Sequence, residues 1–227
     1  EDHVFSATST YTNPLKAVEF FKKTGCDALA ISYGTMHGAS KGKNVKLRKE
    51  IAIAIKECMM HENLFGVLVS HGSSTVPRYI VDEINALGGN IQNAYGISIE
   101  ELKAAIPCGI GKINVDTDIR LAVTRNMKEF FHQNPAKRDS ASIGKIYELL
   151  EEKKDQFDPR AFLPPIMDTV MYGNIPDQDT ANLVEVIEKG VKEAIGTLIV
   201  EFGSFGKAPL VEQVSLEEMA ERYKKCK

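Results

Sequence analysis

Two histidines stand where short apolar runs stop. His71 ends the run Gly66-Val-Leu-Val-Ser70 and is followed at once by Gly72, Ser73 and Ser74, then Thr75-Val76-Pro77. His37 comes shortly after Asp27-Ala-Leu-Ala-Ile-Ser32 and is followed by Gly38, Ala39, Ser40, Lys41 and Gly42. Neutral imidazole is a ligand for divalent metals. Small residues let backbone N–H groups approach an anion, and Lys41 adds a point charge. Pro77 suits the first position of a helix, whose N-terminus favours negative charge. A third run, Gly111-Lys-Ile-Asn-Val115, leads into Asp116-Thr117-Asp118. Taken singly, each stretch reads as an ordinary strand end and loop. Their recurrence at equivalent positions is what points to a site.

The elements that must position these residues form one unit used three times: apolar strand, polar small-residue loop, helix. Strand starts near 28, 66 and 111 leave room for a crossover helix between each pair, which predicts parallel strands. Function then belongs at the C-terminal ends of the strands, a rule shared by (β/α)8 barrels and open doubly wound sheets. Parallel strand ends lie side by side, so His37 and His71 can reach one point. Two histidines plus one further ligand make an open zinc site, but no third ligand is evident. His61 and His132 fall late in helices, away from the strand ends, and read as surface residues. The period of two puts Asn114 and Asp116 on one face of the third strand. They point into a barrel mouth or form a polar pair bonded to neighbouring strands, and both readings stay open. Lys112 lies within that strand and reads as a snorkelling side chain.

Asn13 and Pro14 predict a helix that Gly25 stops. Asn44 is expected to cap a helix over 45–62, with Leu47, Ile51, Ile55 and Met59 on one face. A third helix runs from Pro77 to Gly88, and Ser98-Ile-Glu-Glu101 is a capping box for a short helix to about Ile106. Residues 1–12 read as a polar loop with an extended piece at Val4-Phe5. After about 132 strands cease. Residues 133–158 read as polar, with Glu151 to Asp155 on a solvated helix face. A long helix spans 178–202, and Ser215 caps a last amphipathic helix.

The chain has 227 residues, enough for one large domain, and 43% hydrophobic with 26% charged residues is an ordinary globular balance. A net charge of −3 argues against a general nucleic-acid binder. Four cysteines without a C-x-x-C pair read as reduced thiols of a cytoplasmic protein. No apolar run approaches the roughly 18 residues of a membrane span. The opening Glu1-Asp2-His3-Val4 has neither signal-peptide character nor an initiator methionine, which predicts a chain that begins inside a longer protein.

These motifs, in this order, resemble the C-terminal portion of the class II, zinc-dependent fructose-bisphosphate aldolases. The residues that carry the resemblance are Tyr33-Gly-Thr-Met-His-Gly38 with Lys41, His71-Gly-Ser-Ser-Thr-Val-Pro77, Gly111-Lys-Ile-Asn-Val-Asp-Thr-Asp118 with Arg120, Phe157-Asp-Pro-Arg160, and Phe202-Gly-Ser-Phe-Gly-Lys-Ala208. The resemblance implies an α/β fold, a (β/α)8 TIM barrel, seen here as its last strands and C-terminal helices. It implies reversible cleavage of fructose 1,6-bisphosphate to two triose phosphates in glycolysis and gluconeogenesis. His37 and His71 are then zinc ligands. Gly38, Lys41, Gly72, Ser73 and Ser74 hold the ketose C1 phosphate. Asn114, Val115, Asp116 and Thr117 hold substrate carbons and that phosphate. Arg120 or Arg160 reaches the second phosphate, from a neighbouring subunit of a homodimer or homotetramer. Backbone carbonyls near Gly38 and Gly72 hold a monovalent cation, Na+ or K+. Glu1 matches a loop glutamate that assists proton transfer.

The resemblance also exposes gaps. The family's third zinc histidine and its acid/base aspartate lie on an earlier strand with no counterpart here. A closed barrel needs eight strands, and three are visible. Residues 1–227 are therefore expected to be one domain's partial barrel, with βα units to about 132 and a helical extension over 133–227, and to be inactive alone. Residues 133–156 and 173–182 are expected as surface insertions. Three rival readings remain: a tagatose-bisphosphate aldolase of the same family, a non-catalytic phosphosugar-binding relative, and a Schiff-base aldolase using Lys112.

Overall fold

The computed structural model describes residues 11–35 and 44–225. Three parallel strands, β1 (Ala28–Ile31), β2 (Val67–Ser70) and β3 (Ile110–Ile113), form one sheet in the order β1-β2-β3. Helix α1 (Pro14–Thr24) precedes β1, and α2 (Lys49–His61) crosses from β1 to β2. Helices α3 (Arg78–Ala86) and α4 (Ile99–Ala105) lead to β3, and α5 (Thr117–Gln133) follows it. Then come α6 (Gly144–Glu152), α7 (Met167–Tyr172), the long α8 (Gln178–Glu201) and α9 (Leu216–Lys225). The parallel arrangement is the one the three-fold strand–loop–helix pattern predicts.

Local signals act as expected at α1. The Asn13 side chain accepts hydrogen bonds from the N–H groups of Leu15 and Lys16, at 3.0 and 3.2 Å. Gly25 closes the helix in the left-handed region, φ 62°, where a side chain would be strained. Ser98 accepts from Glu101 N at 3.2 Å and Ser215 from Glu218 N at 3.1 Å, so both predicted caps form.

Other boundaries differ, each for a visible reason. Asn44 has φ 62° and caps nothing; α2 starts at Lys49 because the buried Glu101 carboxylate takes Leu47 N at 2.9 Å. Pro77 stands before the first turn of α3 rather than in it. Strand β3 ends at Ile113, so Asn114 and Asp116 leave the pleat, and Asp116 instead begins α5 and pairs with Arg120. The region after 133 is less polar than it reads. Ile143, Ile146 and Leu150, along α6 and its entry, are buried against Met127, Phe131 and Phe162, so α6 is part of a core and not a surface insertion. The extended piece at Val4-Phe5 lies outside the described residues.

One core joins Val18 and Phe21 of α1, Ile55 and Met59 of α2 and Leu102 of α4 to Ile31, Leu68 and Ile110 of the sheet. Ala28 and Ala30, on the opposite side of β1 by the period of two, are exposed. Two further cores pack α5 against α3, α6 and α8. The helices thus clamp the strand ends into fixed register, which is what a site at those ends requires. Cys26, Cys58 and Cys108 are free thiols. Among the described residues no helix is long and apolar enough to cross a membrane.

Candidate active site

Ile31 pairs with Ser70, and Ser70 with Ile113, so the C-terminal ends of all three strands finish level. One more ladder bond, Asn114 N to Ser70 O at 2.9 Å, carries the alignment past β3. A cavity of about 510 Å³ opens there, walled by His71, Gly72 and Ser74 on one side and by residues 113–117 on the other. His71 is exposed at its rim, and the Asn114 side-chain nitrogen lies 3.3 Å from both ring nitrogens.

The loop after β2 is fastened to both neighbours. Gly72 turns the chain with φ 63°, a conformation open to glycine at little cost. Ser73 is fully buried; its N–H reaches Asn114 O at 3.3 Å and its hydroxyl turns inward, 2.6 Å from Ser70 Oγ. Ser70 Oγ in turn lies 2.6 Å from the Tyr33 hydroxyl at the end of β1. Ser74 Oγ accepts from the N–H groups of Thr117 and Asp116, at 3.1 and 3.3 Å. The buried Asp118 carboxylate accepts from Thr75 N, Thr75 Oγ1 and Val76 N, at 3.0, 2.6 and 2.9 Å. Beneath the loop, Gly96 packs so closely that a Cβ there would stand 2.2 Å from the Thr75 carbonyl.

Beside the cavity runs a chain of alternating charges. Arg120 pairs with Asp116 at 2.6 Å and also with Asp158, and Asp158 pairs with Arg160 at 2.6 Å. The Arg160 hydrogen bonds, with the Arg120 charge behind them, outweigh partial burial and hold the Asp158 carboxyl down at about 2.

The structure gathers His71, Gly72, Ser74, Asn114, Val115, Asp116 and Thr117 around one space. Ser73 is different: it lies under the wall, not in it. The first amides before α3, expected to attract an external anion, are taken internally by Asp118. Arg120 is held between two carboxylates, whereas Arg160 stands at the exposed end of the chain. Lys112 is exposed within β3 and does not line the cavity. Glu1, His37, Gly38 and Lys41 lie outside the described residues. Sequence reasoning missed Tyr33, Asp118 and Asp158 as parts of the site. An aspartate directly after a strand-end Asp-Thr pair, and one just before Pro159, were signals in plain view, but the loop amides that Asp118 holds and the Arg120 that Asp158 holds are 38 to 43 residues away. A larger cavity, about 1010 Å³, lies between the 75–80 and 94–100 segments and α8, away from His71.

Among the described residues no three His, Cys, Asp or Glu side chains converge on a point. Of the cavity residues with zinc-ligand chemistry, the Asp116 carboxylate is paired with Arg120, and His71 offers an imidazole at the end of a buried strand, on the rim of a polar cavity. Its neighbour β1 finishes in register six residues before His37. The donors present fit one arm of a divalent site.

Comparison with known proteins gives a consistent answer. The family model described as fructose-bisphosphate aldolase class-II matches residues 1–207. A fructose-bisphosphate aldolase of Xanthobacter flavus is 34% identical over 93% of this chain and 49% of its own length. One from Giardia intestinalis is 35% identical over 96% of this chain and 54% of its own. The chain thus spans about half the length of these curated relatives. The crystal structure of fructose-bisphosphate aldolase from Campylobacter jejuni, at 19% identity, superposes with a TM-score of 0.51 over 89% of this chain and 47% of that one.

Proposed function

The chain belongs to the class II fructose-bisphosphate aldolase family, and from that premise we propose that it supplies the phosphate-binding side and a zinc-ligand arm of a (β/α)8 barrel that cleaves fructose 1,6-bisphosphate reversibly. The observation that carries this reading is the convergence of His71, Gly72, Ser74 and residues 114–117 on one cavity at the C-terminal ends of parallel strands. One-sided covering of β1 supports a barrel stave over a strand of a doubly wound sheet, because Ala28 and Ala30 are exposed opposite the helical core.

His71 and, across the strand gap, His37 are the proposed ligands of a zinc ion. The chemistry such an ion supplies when bound is Lewis-acid polarisation of the substrate ketone. The chain's own part is positioning. Gly72, Ser74 and the start of α5 seat the C1 phosphate, and Gly38 and Lys41 belong to the same proposed phosphate-binding set. Asn114, held against His71, orients the carbons next to the carbonyl. Arg160 reaches the second phosphate, since its guanidinium is the exposed one. Strands outside these 227 residues complete the barrel and bring the acid/base carboxylate. A monovalent cation on carbonyls near Gly72, a homodimeric or homotetrameric assembly and a cytoplasmic setting belong to the same reading.

The test is steady-state cleavage by the complete protein. Fructose 1,6-bisphosphate should be split, a chelator should abolish turnover and zinc should restore it. His71→Ala should lower kcat at least a thousandfold, and residues 1–227 alone should show no cleavage. Faster cleavage of tagatose 1,6-bisphosphate would reassign the substrate. Borohydride trapping of substrate on Lys112, or full activity in His71→Ala, would overturn the reading.

A further inference from the structure

Three hydroxyls join the ends of β1 and β2 inside the protein. Tyr33, Ser70 and Ser73 all have no exposed surface, and their oxygens are spaced 2.6 and 2.6 Å apart in the order given. Either hydroxyl could donate in each 2.6 Å contact, but only one direction gives all three protons an acceptor among the described residues. Ser73 Oγ lies 3.2 Å from Ser70 O and 3.4 Å from His71 O, and a carbonyl can only accept. Ser73 therefore donates to the carbonyls and accepts from Ser70. Ser70 then accepts from Tyr33, and Tyr33 is the terminal donor. Burial pushes the Tyr33 phenol up from its ordinary value, which keeps the donor protonated.

Resting on the reading of His71 as a metal ligand, we propose that Tyr33 is a positioning residue for that site: a one-way chain through Ser70 and Ser73 grips the peptide of His71 and sets its imidazole relative to β1. The geometry suits the role. The chain ends on the carbonyls of Ser70 and His71, the two peptides that flank the His71 Cα. It starts on the residue that leaves β1 toward His37, whose own carbonyl is tied by Arg48 N at 2.8 Å. Nothing else among the described side chains links these two strand ends so directly. Groups that orient metal ligands without touching the metal commonly carry ten- to hundredfold in metal affinity.

The directed chain gives a test that separates positioning from mere stability. Zinc dissociation constants, by competition with a chromophoric chelator, and thermal midpoints are compared in the complete protein for wild type, Tyr33→Phe, Ser70→Ala and the double variant. Ser70→Ala strands a buried phenol donor, whereas Tyr33→Phe removes only a donor. Ser70→Ala should therefore have the lowest midpoint, and adding Tyr33→Phe to it should raise the midpoint again. Zinc should bind about tenfold more weakly in all three variants, with no recovery in the double. Zinc affinity that follows the thermal midpoints, or that stays within twofold of wild type in Tyr33→Phe, overturns the proposal. His71→Ala is the control: if it leaves zinc affinity unchanged, the ligand reading itself fails and the inference falls with it.

Discussion

Asp118 holds Val76 in a conformation that valine avoids. The Asp118 carboxylate accepts the Val76 N–H at 2.9 Å, and Val76 sits at φ 51° in the left-handed region. That conformation costs a β-branched residue about 1–3 kcal/mol. Two further bonds from Thr75 to the same carboxylate, with Asp118 only 2% exposed, offset the strain. Asp118→Ala would leave these donors unmet, and a loss of about 2–4 kcal/mol is expected from denaturant unfolding of the complete protein. Asp118→Asn keeps one acceptor oxygen and should fall between.

Asp158 predicts a pH dependence. Its folded pKa is about 2 against an ordinary 3.8, so the folded state prefers the ionised form. Its stabilising contribution is complete above about pH 4 and disappears as the pH falls through 2. The carboxylate is partly solvated, so after screening the contribution is on the order of 1 kcal/mol. Acid titration of the thermal midpoint checks this. Asp158→Asn should be less stable at neutral pH, and its curve should meet that of the wild type near pH 2.

What the sequence disclosed and what it hid divide along sequence distance. Asn13, Gly25, Ser98 and Ser215 act on amides within four residues, so their roles could be read from neighbours alone. The strand ends were legible because the apolar runs stop abruptly at polar small residues. The start of α2 was not, because Glu101, 54 positions away, claims Leu47 N. Ser73 looked like a ligand to phosphate because its own neighbours do not show that its hydroxyl turns inward to Ser70 Oγ, which is itself held by Tyr33, 37 positions away. The buried face of α6 was missed for another reason: Ile143, Ile146 and Leu150 have helical spacing, but the charge run at 151–155 marks only its solvated side. Ile146→Ala should cost about 2–4 kcal/mol in a denaturant titration, as in any packed core and unlike a surface insertion.

Lys128 is a buried cation with a poor partner. It is 4% exposed, its ammonium meets the Leu150 carbonyl at 3.3 Å, and burial lowers its pKa. A lowered lysine pKa means that the unfolded chain binds more protons over the interval up to the ordinary value, 10.5, so stability rises with pH there. Lys128→Met should stabilise the protein at pH 7 by about 1–2 kcal/mol. The gain should shrink toward pH 10.5 and above, as the wild-type amine sheds its charge in both states. Unfolding midpoints of the two proteins between pH 7 and 11 provide the measurement.

Two glycines of α8 should respond to the same substitution with opposite signs. Gly196 has open space where a Cβ would stand, so Gly196→Ala gains helix propensity and should stabilise by about 0.5–1 kcal/mol. Gly190 is the point where α8 crosses α5. A Cβ there would lie 2.9 Å from the Ala122 carbonyl oxygen and 3.1 Å from Asn126 Nδ2, which itself bonds Val186 O at 3.1 Å. The first obstacle is helix backbone and cannot swing aside, so the two helices must separate around a core that includes Leu183 and Phe131. Overpacking of this kind costs about 1–3 kcal/mol, more than the propensity gained. Gly190→Ala should therefore lower the thermal midpoint while Gly196→Ala raises it, and matched melts of the two variants decide the point. A rise in both would mean that α5 and α8 yield freely, and the tight crossing that steadies the α5 end of the cavity would have no energetic weight.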